Sequence, residues 1–170
     1  MDTKKILRIK AKTLRKTLDI ENLSDELTSL ITTSHPYKSA KNVMIYYPLK
    51  YEINLLSLLK DNKNFYLPRI EGNNIEVCPY KKSDYLKTSE LNIPEPITDK
   101  ANPNILDLII VPAILVDENN YRLGYGGGYY DRFLAQNKKI KTLCAIPKAL
   151  VVKNLPHENY DIKIDTILSI

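Results

Sequence analysis

The glycines of this chain are concentrated in one short segment, and this feature constrains the fold more than any other. Four of the five glycines lie in residues 124–128, and Gly72 is the fifth. An apolar run at residues 106–113 precedes the segment, and residues 129–135 have the composition of a helix start. The order strand, glycine turn and helix is typical of loops whose backbone amides face an anion such as phosphate. We therefore predict an anion-binding loop at this position.

The bulk composition is that of one folded domain. The chain has 170 residues, of which 44% are hydrophobic and 26% charged, so we expect a single domain over residues 1–170. No apolar run approaches the roughly 20 residues of a membrane span, and the N-terminal residues lack a signal-peptide core, so we expect a cytoplasmic protein without a membrane partner. Cys78 and Cys144 lie in separate apolar runs, which predicts buried thiols rather than a disulfide or a metal site.

The positive charge of the chain favours an anionic partner. A net charge of +5 suits nucleotides, polycarboxylates and nucleic acid alike. The chain has no run of about five lysines and arginines, no zinc-finger spacing and no aromatic RNA-binding strand. We therefore expect small anions rather than nucleic acid as the main partner.

Residues 3–18 have the spacing of a half-buried surface helix. Its apolar stripe consists of Leu7, Ala11, Leu14 and Leu18. A basic stripe runs beside it and consists of Lys4, Arg8, Lys12 and Arg15. Cations at this border can reach into a cleft, and the alternative is an ordinary solvated basic face.

The remaining apolar runs alternate between strand and helix patterns. Predicted strands cover residues 43–47, 65–70, 75–80, 106–113, 142–146 and 166–170. Predicted helices cover residues 55–60 and 128–137, and another begins at the cap formed by residues 24–26 and ends near Pro36. The turn at residues 71–74 indicates a hairpin, and the polar, proline-rich residues 81–104 are predicted as a long surface loop. The alternation predicts an α/β fold: an open, mostly parallel sheet flanked by helices, with ligands at the carboxyl ends of the strands.

The glycine segment does not fit either of the two common phosphate-binding motifs. The Walker A motif requires Gly-Lys after four intervening residues, and the dinucleotide motif requires a third glycine, but Tyr129 occupies the critical position in both. What remains is Arg122, the glycines and Asp131 within ten positions. Arg122 and the amides can bind phosphate, and Asp131 can bind the metal that accompanies it. A tight turn plugged by an aromatic side chain is the alternative.

The chain resembles the signature of the 5-formyltetrahydrofolate cyclo-ligase family, also called methenyltetrahydrofolate synthetase, in residues 111–113, 116–117 and 122–134. Other segments follow in the order that the family has, at residues 4–8, 46–54, 67–69, 93–96 and 163–165. The resemblance implies an α/β open sheet with a nucleotide-binding-like topology. Arg69 and Glu95 lie in matching segments but receive no role from it.

The reaction that this resemblance implies is the ATP-dependent closure of 5-formyltetrahydrofolate to 5,10-methenyltetrahydrofolate, with release of ADP and phosphate. Phosphorylation of the formyl oxygen would give an iminium phosphate that the N10 amine attacks. ATP and Mg²⁺ are the implied cofactors, and the implied partner is a folate, with or without a polyglutamate tail. We expect a monomer.

The resemblance also implies roles for individual residues. The catalytic residues are Arg122 and Tyr129. The ATP-binding residues are Lys4, Lys5, Ile6, Leu7, Arg8, Arg122, Leu123, Gly124, Tyr125, Gly126, Gly127, Gly128, Tyr129 and Tyr130. The folate-binding residues are Tyr47, Glu52, Tyr125, Gly126, Gly127, Gly128 and Tyr129, and the magnesium ligands are Asp131 and Asp165. Two alternatives stay open: an enzyme of similar fold acting on sugar phosphates or CoA esters, and a nucleic-acid-binding module.

Overall fold

A twisted sheet built from the apolar runs forms the centre of the structure, a computed structural model that describes residues 2–170. Met1, the first residue of the predicted domain 1–170, lies outside the described residues. The helices are α1 (Thr3–Arg15), α2 (Ile20–Thr33), α3 (His35–Ser39) and α4 (Tyr129–Gln136). The strands are β1 (Asn42–Met44), β2 (Asn64–Glu71), β3 (Asn74–Pro79), β4 (Leu86–Thr88), β5 (Pro94–Pro96), β6 (Leu108–Ile110), β7 (Leu115–Asp117), β8 (Arg122–Leu123), β9 (Lys141–Ile146), β10 (Val151–Val152) and β11 (Thr166–Ser169).

The main sheet has the strand order β11-β9-β6-β1-β2-β3. All of its neighbouring strands are parallel except β2 and β3, which form an antiparallel hairpin. Gly72 sits in the hairpin turn with a φ of 58°, a conformation that favours glycine. The predicted α/β class, the mostly parallel sheet and the hairpin are therefore confirmed.

Side chains of the central strands alternate between two hydrophobic layers. Met44, Ile109 and Cys144 face the layer that contains α1 and α4, whereas their chain neighbours face the layer that contains α2. Burial on both faces is expected for parallel strands covered by helices. Cys78 and Cys144 are free buried thiols, as predicted, and burial raises the pKa of Cys144 to about 12.

The first two helices differ from their predicted bounds. Helix α1 ends at Arg15, three residues before the predicted end. Helix α2 begins at Ile20, because the Asp19 side chain accepts the amide hydrogen of Asn22 at 3.2 Å and caps the helix. Ser24, the predicted cap, is buried within the helix and donates instead to the carbonyl of Ile20. Aspartate and serine both cap helices, and the sequence pattern predicted the cap at Ser24 instead of Asp19.

Residues 81–104 are not the long irregular loop that we predicted. Strands β4 and β5 pair in this segment as an antiparallel hairpin, and a single 3₁₀ turn covers Pro103–Ile105. Arg69 supports the hairpin by donating to the carbonyls of Pro96 at 3.0 Å and Thr98 at 2.8 Å. The prolines suggested a loop, but proline is tolerated in short strands that need few amide donors.

The predicted strand at residues 106–113 is also wrong in extent. Only Leu108–Ile110 belongs to the main sheet. The chain then forms a second, three-stranded sheet in the order β10-β7-β8. Arg122 lies on β8 of this small sheet. The glycine segment follows β8 and lies at the carboxyl edge of the main sheet.

The buried Asp117 carboxylate organises the turn between β7 and β8. Its Oδ1 accepts the amides of Asn119 and Tyr121, each at 2.9 Å, and its Oδ2 accepts the amide of Leu155 at 2.9 Å. Asp117 is only 3% exposed, so these amides replace its lost hydration. The same carboxylate therefore attaches the C-terminal segment to the small sheet.

We expect Asp117→Ala to lower the free energy of unfolding by about 3 kcal/mol, because three amides lose a charged acceptor. Asp99→Ala, which removes an exposed carboxylate, serves as the control and is expected to change stability by less than about 0.5 kcal/mol. Urea denaturation of both variants measures the difference. Equal stability of the two would show that the Asp117 hydrogen bonds contribute nothing.

Candidate active site

A cleft of about 960 Å³ opens where the parallel strands end. The segments that follow β1 and β6 contribute to its wall, together with the start of α1, the glycine segment and the start of α4. Its size suits one or two small organic ligands. The cleft therefore lies where an open α/β sheet is expected to bind its ligands.

Arg122 and Asp131 form an ion pair at the two ends of the glycine segment. Arg122 lies on β8 and Asp131 in the first turn of α4, and Arg122 Nη2 lies 3.0 Å from Asp131 Oδ2. The Arg122 side chain is 4% exposed, and its Nε has no hydrogen-bond partner among the described residues. A buried donor without a partner is costly, so this nitrogen is suited to an anionic ligand in the cleft.

The backbone of the glycine segment adopts conformations that other residues rarely reach. Gly126 has a φ of 108° and Gly128 a φ of 67°. Arg8 lies against the loop: its Nε donates to the carbonyl of Gly124 at 2.8 Å, and its guanidinium would be 3.5 Å from a Cβ on Gly126. Gly128 precedes α4, and no side chain caps this helix. The first amides of α4 are thus free of a capping side chain at the edge of the cleft.

Each tyrosine of the glycine segment has a cation over its ring. Lys12 lies 5.1 Å from the ring centroid of Tyr125, Arg132 lies 5.1 Å from that of Tyr129, and Arg122 lies 5.5 Å from that of Tyr130. These contacts order the aromatic side chains without blocking the amides between them.

Glu52 and Tyr125 meet on the wall of the cleft. Tyr125 Oη donates to Glu52 Oε1 at 2.6 Å, and the amide of Leu49 donates to Glu52 Oε2 at 2.8 Å. Burial and the nearby Glu52 carboxylate raise the pKa of Tyr125, so its phenol stays neutral. Glu52 is 5% exposed and faces the cleft beside Tyr47. This wall presents a carboxylate and an aromatic surface to a ligand.

Only part of the predicted N-terminal segment reaches the cleft. Lys4 and Arg8 line it, whereas Lys5, Ile6 and Leu7 do not. Lys4 Nζ lies 2.7 Å from Asp161 Oδ2. Burial alone would raise the pKa of Asp161, but the hydrogen bond from Lys4 and an amide donor hold it below its usual range.

The two predicted magnesium ligands differ in their relation to the cleft. Asp131 lines the cleft, but Asp165 does not. Asp165 Oδ2 instead accepts the amide of Thr142 at 2.8 Å and its hydroxyl at 2.9 Å, near the start of β9. Residues 2–170 contain no group of three or more acidic, histidine or cysteine side chains arranged for a metal. Magnesium shared by these two carboxylates stays a prediction.

Several residues of the cleft were not assigned to it from the sequence. The β4–β5 hairpin contributes Leu91, Ile93 and Glu95, and the C-terminal segment contributes Asp161. Glu95 accepts the amide of Ile70 at 3.1 Å, and burial raises its pKa. The motif at residues 93–96 was the one available signal for the hairpin, whereas nothing local marks Asp161.

Fold and cleft together define an α/β protein with a ligand-sized cleft at the carboxyl edge of its sheet. The chain belongs to the 5-formyltetrahydrofolate cyclo-ligase family, whose family model matches residues 2–169. It is 28% identical to a 5-formyltetrahydrofolate cyclo-ligase of Haemophilus influenzae over 99% of both chains.

Two solved structures resemble the chain over almost its whole length. The structure of an Aquifex aeolicus 5,10-methenyltetrahydrofolate synthetase is 32% identical, has a TM-score of 0.84, and the match covers 99% of this chain and 90% of that one. A Mycoplasma pneumoniae 5,10-methenyltetrahydrofolate synthetase shares the fold with a TM-score of 0.79 at 21% identity, and the match covers 98% of each chain. Within residues 2–170, no helix is both long enough and apolar enough to span a membrane.

Gly128→Ala tests the role of the loop backbone, with Gly72→Ala as a matched control. Both glycines have a positive φ, of 67° and 58°, so both substitutions should cost about 1–2 kcal/mol of stability. Only Gly128 adjoins the cleft. A ligand that binds the loop backbone there would have to restore the positive φ that alanine disfavours, whereas the same strain at Gly72 would not affect ligand binding. We expect Gly128→Ala to weaken ATP binding about tenfold and Gly72→Ala to leave it unchanged. Calorimetric titration measures both, and equal affinities would exclude the loop from the ATP site.

Proposed function

We propose that the protein closes 5-formyltetrahydrofolate to 5,10-methenyltetrahydrofolate with consumption of ATP. Membership of the cyclo-ligase family makes it an ATP-dependent ligase. The observation that carries the assignment of the site is the buried, unpartnered Nε of Arg122 beside the glycine amides. The same cleft contains a carboxylate, Glu52, that suits the amino-pyrimidine edge of a pterin.

The chemistry that we propose proceeds in two displacements. The formyl oxygen attacks the γ-phosphorus of ATP, the bond to the β–γ bridging oxygen breaks, and ADP leaves. The product is an iminium phosphate. The N10 lone pair then attacks the formyl carbon, the C–O bond breaks to release phosphate, and N10 loses its proton. Phosphorylation is needed because the oxygen of a formamide is a poor leaving group.

The residues of the cleft act mainly by alignment and charge stabilisation. Arg8, Arg122 and the amides at the start of α4 would hold the phosphates in line with the formyl oxygen. Tyr129 lies between the glycines and the helix, where it can contact both substrates. Glu52 and Tyr47 would hold the pterin ring.

One of the two predicted magnesium ligands lines the cleft. Mg²⁺ commonly binds through one or two carboxylates, substrate phosphates and water, and Asp131 lines the cleft where the phosphates would lie. We propose that Asp131 holds the ion that neutralises the phosphates. Asp165 is exposed, and its Oδ2 accepts from Thr142; a site that it shares with Asp131 stays a prediction from the sequence.

Other features of the proposal rest on the sequence alone. The monomeric state, the cytoplasmic location and the absence of a nucleic-acid partner stay predictions. An enzyme acting on sugar phosphates or CoA esters would need no ATP, so nucleotide dependence separates it from the proposed activity. A nucleic-acid-binding module would show an RNA affinity that falls steeply with salt.

The proposal predicts that the purified protein, given Mg-ATP and 5-formyltetrahydrofolate, produces the ultraviolet absorbance of the methenyl product. We expect Arg122→Lys to lower kcat/KM by about 100-fold or more, because lysine cannot supply the Nε donor and the planar fork. Lys38→Gln is the control: Lys38 is an exposed cation on α3 that does not line the cleft, so its KM values should be unchanged.

Two outcomes would count against the proposal. If the wild-type protein forms no product at any metal or ATP concentration, the activity is wrong. If product forms but Arg122→Lys stays within about threefold of the wild type, Arg122 is not a ligand of the transferred phosphoryl group.

A further inference from the structure

We propose that Arg15 is a positioning residue for folate. It acts by fixing the direction of a hydrogen-bond chain that runs from Arg15 through Tyr125 to Glu52. This inference rests on the proposed role of Glu52 in binding the substrate. The resemblance to the family placed no function on Arg15, which belonged only to the predicted basic stripe of α1.

Arg15 connects three elements that surround the cleft. Its Nη1 donates to Tyr125 Oη at 3.1 Å, and its Nη2 donates to the carbonyl of Ala113, beyond the end of β6. The side chain is buried, with 6% of the residue exposed, whereas Leu14 of the predicted apolar stripe is 39% exposed. Helix α1 is therefore rotated about its axis relative to the prediction, so that the Arg15 side chain faces the interior of the protein.

A buried cation needs a compensating charge. Among residues 2–170, no carboxylate lies within 4.0 Å of the Arg15 guanidinium. The buried carboxylate next along its hydrogen-bond chain is Glu52, which is 5% exposed and is reached through the Tyr125 hydroxyl. Arg15 and Glu52 thus form an ion pair bridged by a phenol, in which each charge offsets the desolvation of the other.

The chain can run in only one direction. A guanidinium has donors and no acceptor, so the Tyr125 oxygen must accept from Arg15 and its one hydrogen must go to Glu52. The amide of Leu49 donates to the second oxygen of Glu52. Both oxygens of Glu52 are thereby held by donors of the protein, and Glu52 lines the cleft, where donors of a ligand can reach it. Removal of Arg15 would free Tyr125 to turn its hydroxyl elsewhere.

The test compares Arg15→Gln with Arg15→Lys and with Lys16→Gln. Glutamine removes the charge and offers an acceptor, so the chain can reverse, whereas lysine keeps a cation that only donates. Lys16 is an exposed neighbour on the same helix. We expect Arg15→Gln to raise the KM and Kd for 5-formyltetrahydrofolate about tenfold, Arg15→Lys to raise them by no more than about threefold, and Lys16→Gln to leave them unchanged. The KM for ATP and kcat should stay within about twofold in all three.

A second experiment shows whether Arg15 acts through Tyr125. In a Tyr125→Phe background, Arg15→Gln should have no further effect on the folate Kd, because the chain is already broken. Tyr125→Phe also serves if Arg15→Gln fails to fold, since it removes no charge; alone it should weaken folate binding about tenfold, because Glu52 loses its phenol donor.

Three results would overturn the proposal: an unchanged folate Kd in Arg15→Gln, equal losses for folate and ATP, or additive effects in the double variant. An unchanged folate Kd in Tyr125→Phe alone would overturn it as well. Each of these can occur while the wild-type protein forms product, so failure of the positioning role is distinguishable from failure of the proposed activity.

Discussion

The ion pair between Arg122 and Asp131 is the interaction on which the site depends. It joins a strand of the small sheet to the first turn of α4, and so it fixes both ends of the glycine segment. Asp131 Oδ1 also accepts the amide of Ile162 at 3.1 Å, which aligns the C-terminal segment with the same helix. A carboxylate in the first turn of a helix is further stabilised by the helix dipole. The contacts of the flanking elements therefore set the position of the glycine segment, whose glycines have no side chains that could do so.

The cleft contains cations and a buried carboxylate, which suit different parts of a ligand. Arg8, Arg122 and the glycine segment line it, and so does Glu52. The neutral phenol of Tyr125 accepts from Arg15 and donates to Glu52, so it lies between a buried cation and that carboxylate. In the proposed complex, this arrangement would let one small protein hold a phosphate donor and a nitrogen-rich ring in the same cleft.

The sequence was most informative where the physics is local or repeated. The parallel sheet follows from apolar runs covered on both faces, and the loop before α4 follows from its glycines. Short-range competition was harder to predict, because Asp19 and Ser24 are both good caps and only the folded packing selects between them. Long-range contacts were out of reach: the pairing of Asp165 with Thr142 and of Lys4 with Asp161 joins residues far apart in the chain. The burial of Arg15 was not predicted for the same reason, because its acceptors, Tyr125 Oη and the carbonyl of Ala113, lie far along the chain.

Helix α4 begins after a left-handed glycine and has no capping side chain. Most helices satisfy their first amides with a serine, threonine or aspartate, which makes the helix end independent of its surroundings. In the proposed complex with ATP, a phosphate would accept some of those amides and take the place of the missing cap. Nucleotide binding would then also stabilise the first turn of α4, so the local stability of the fold would rise with nucleotide concentration.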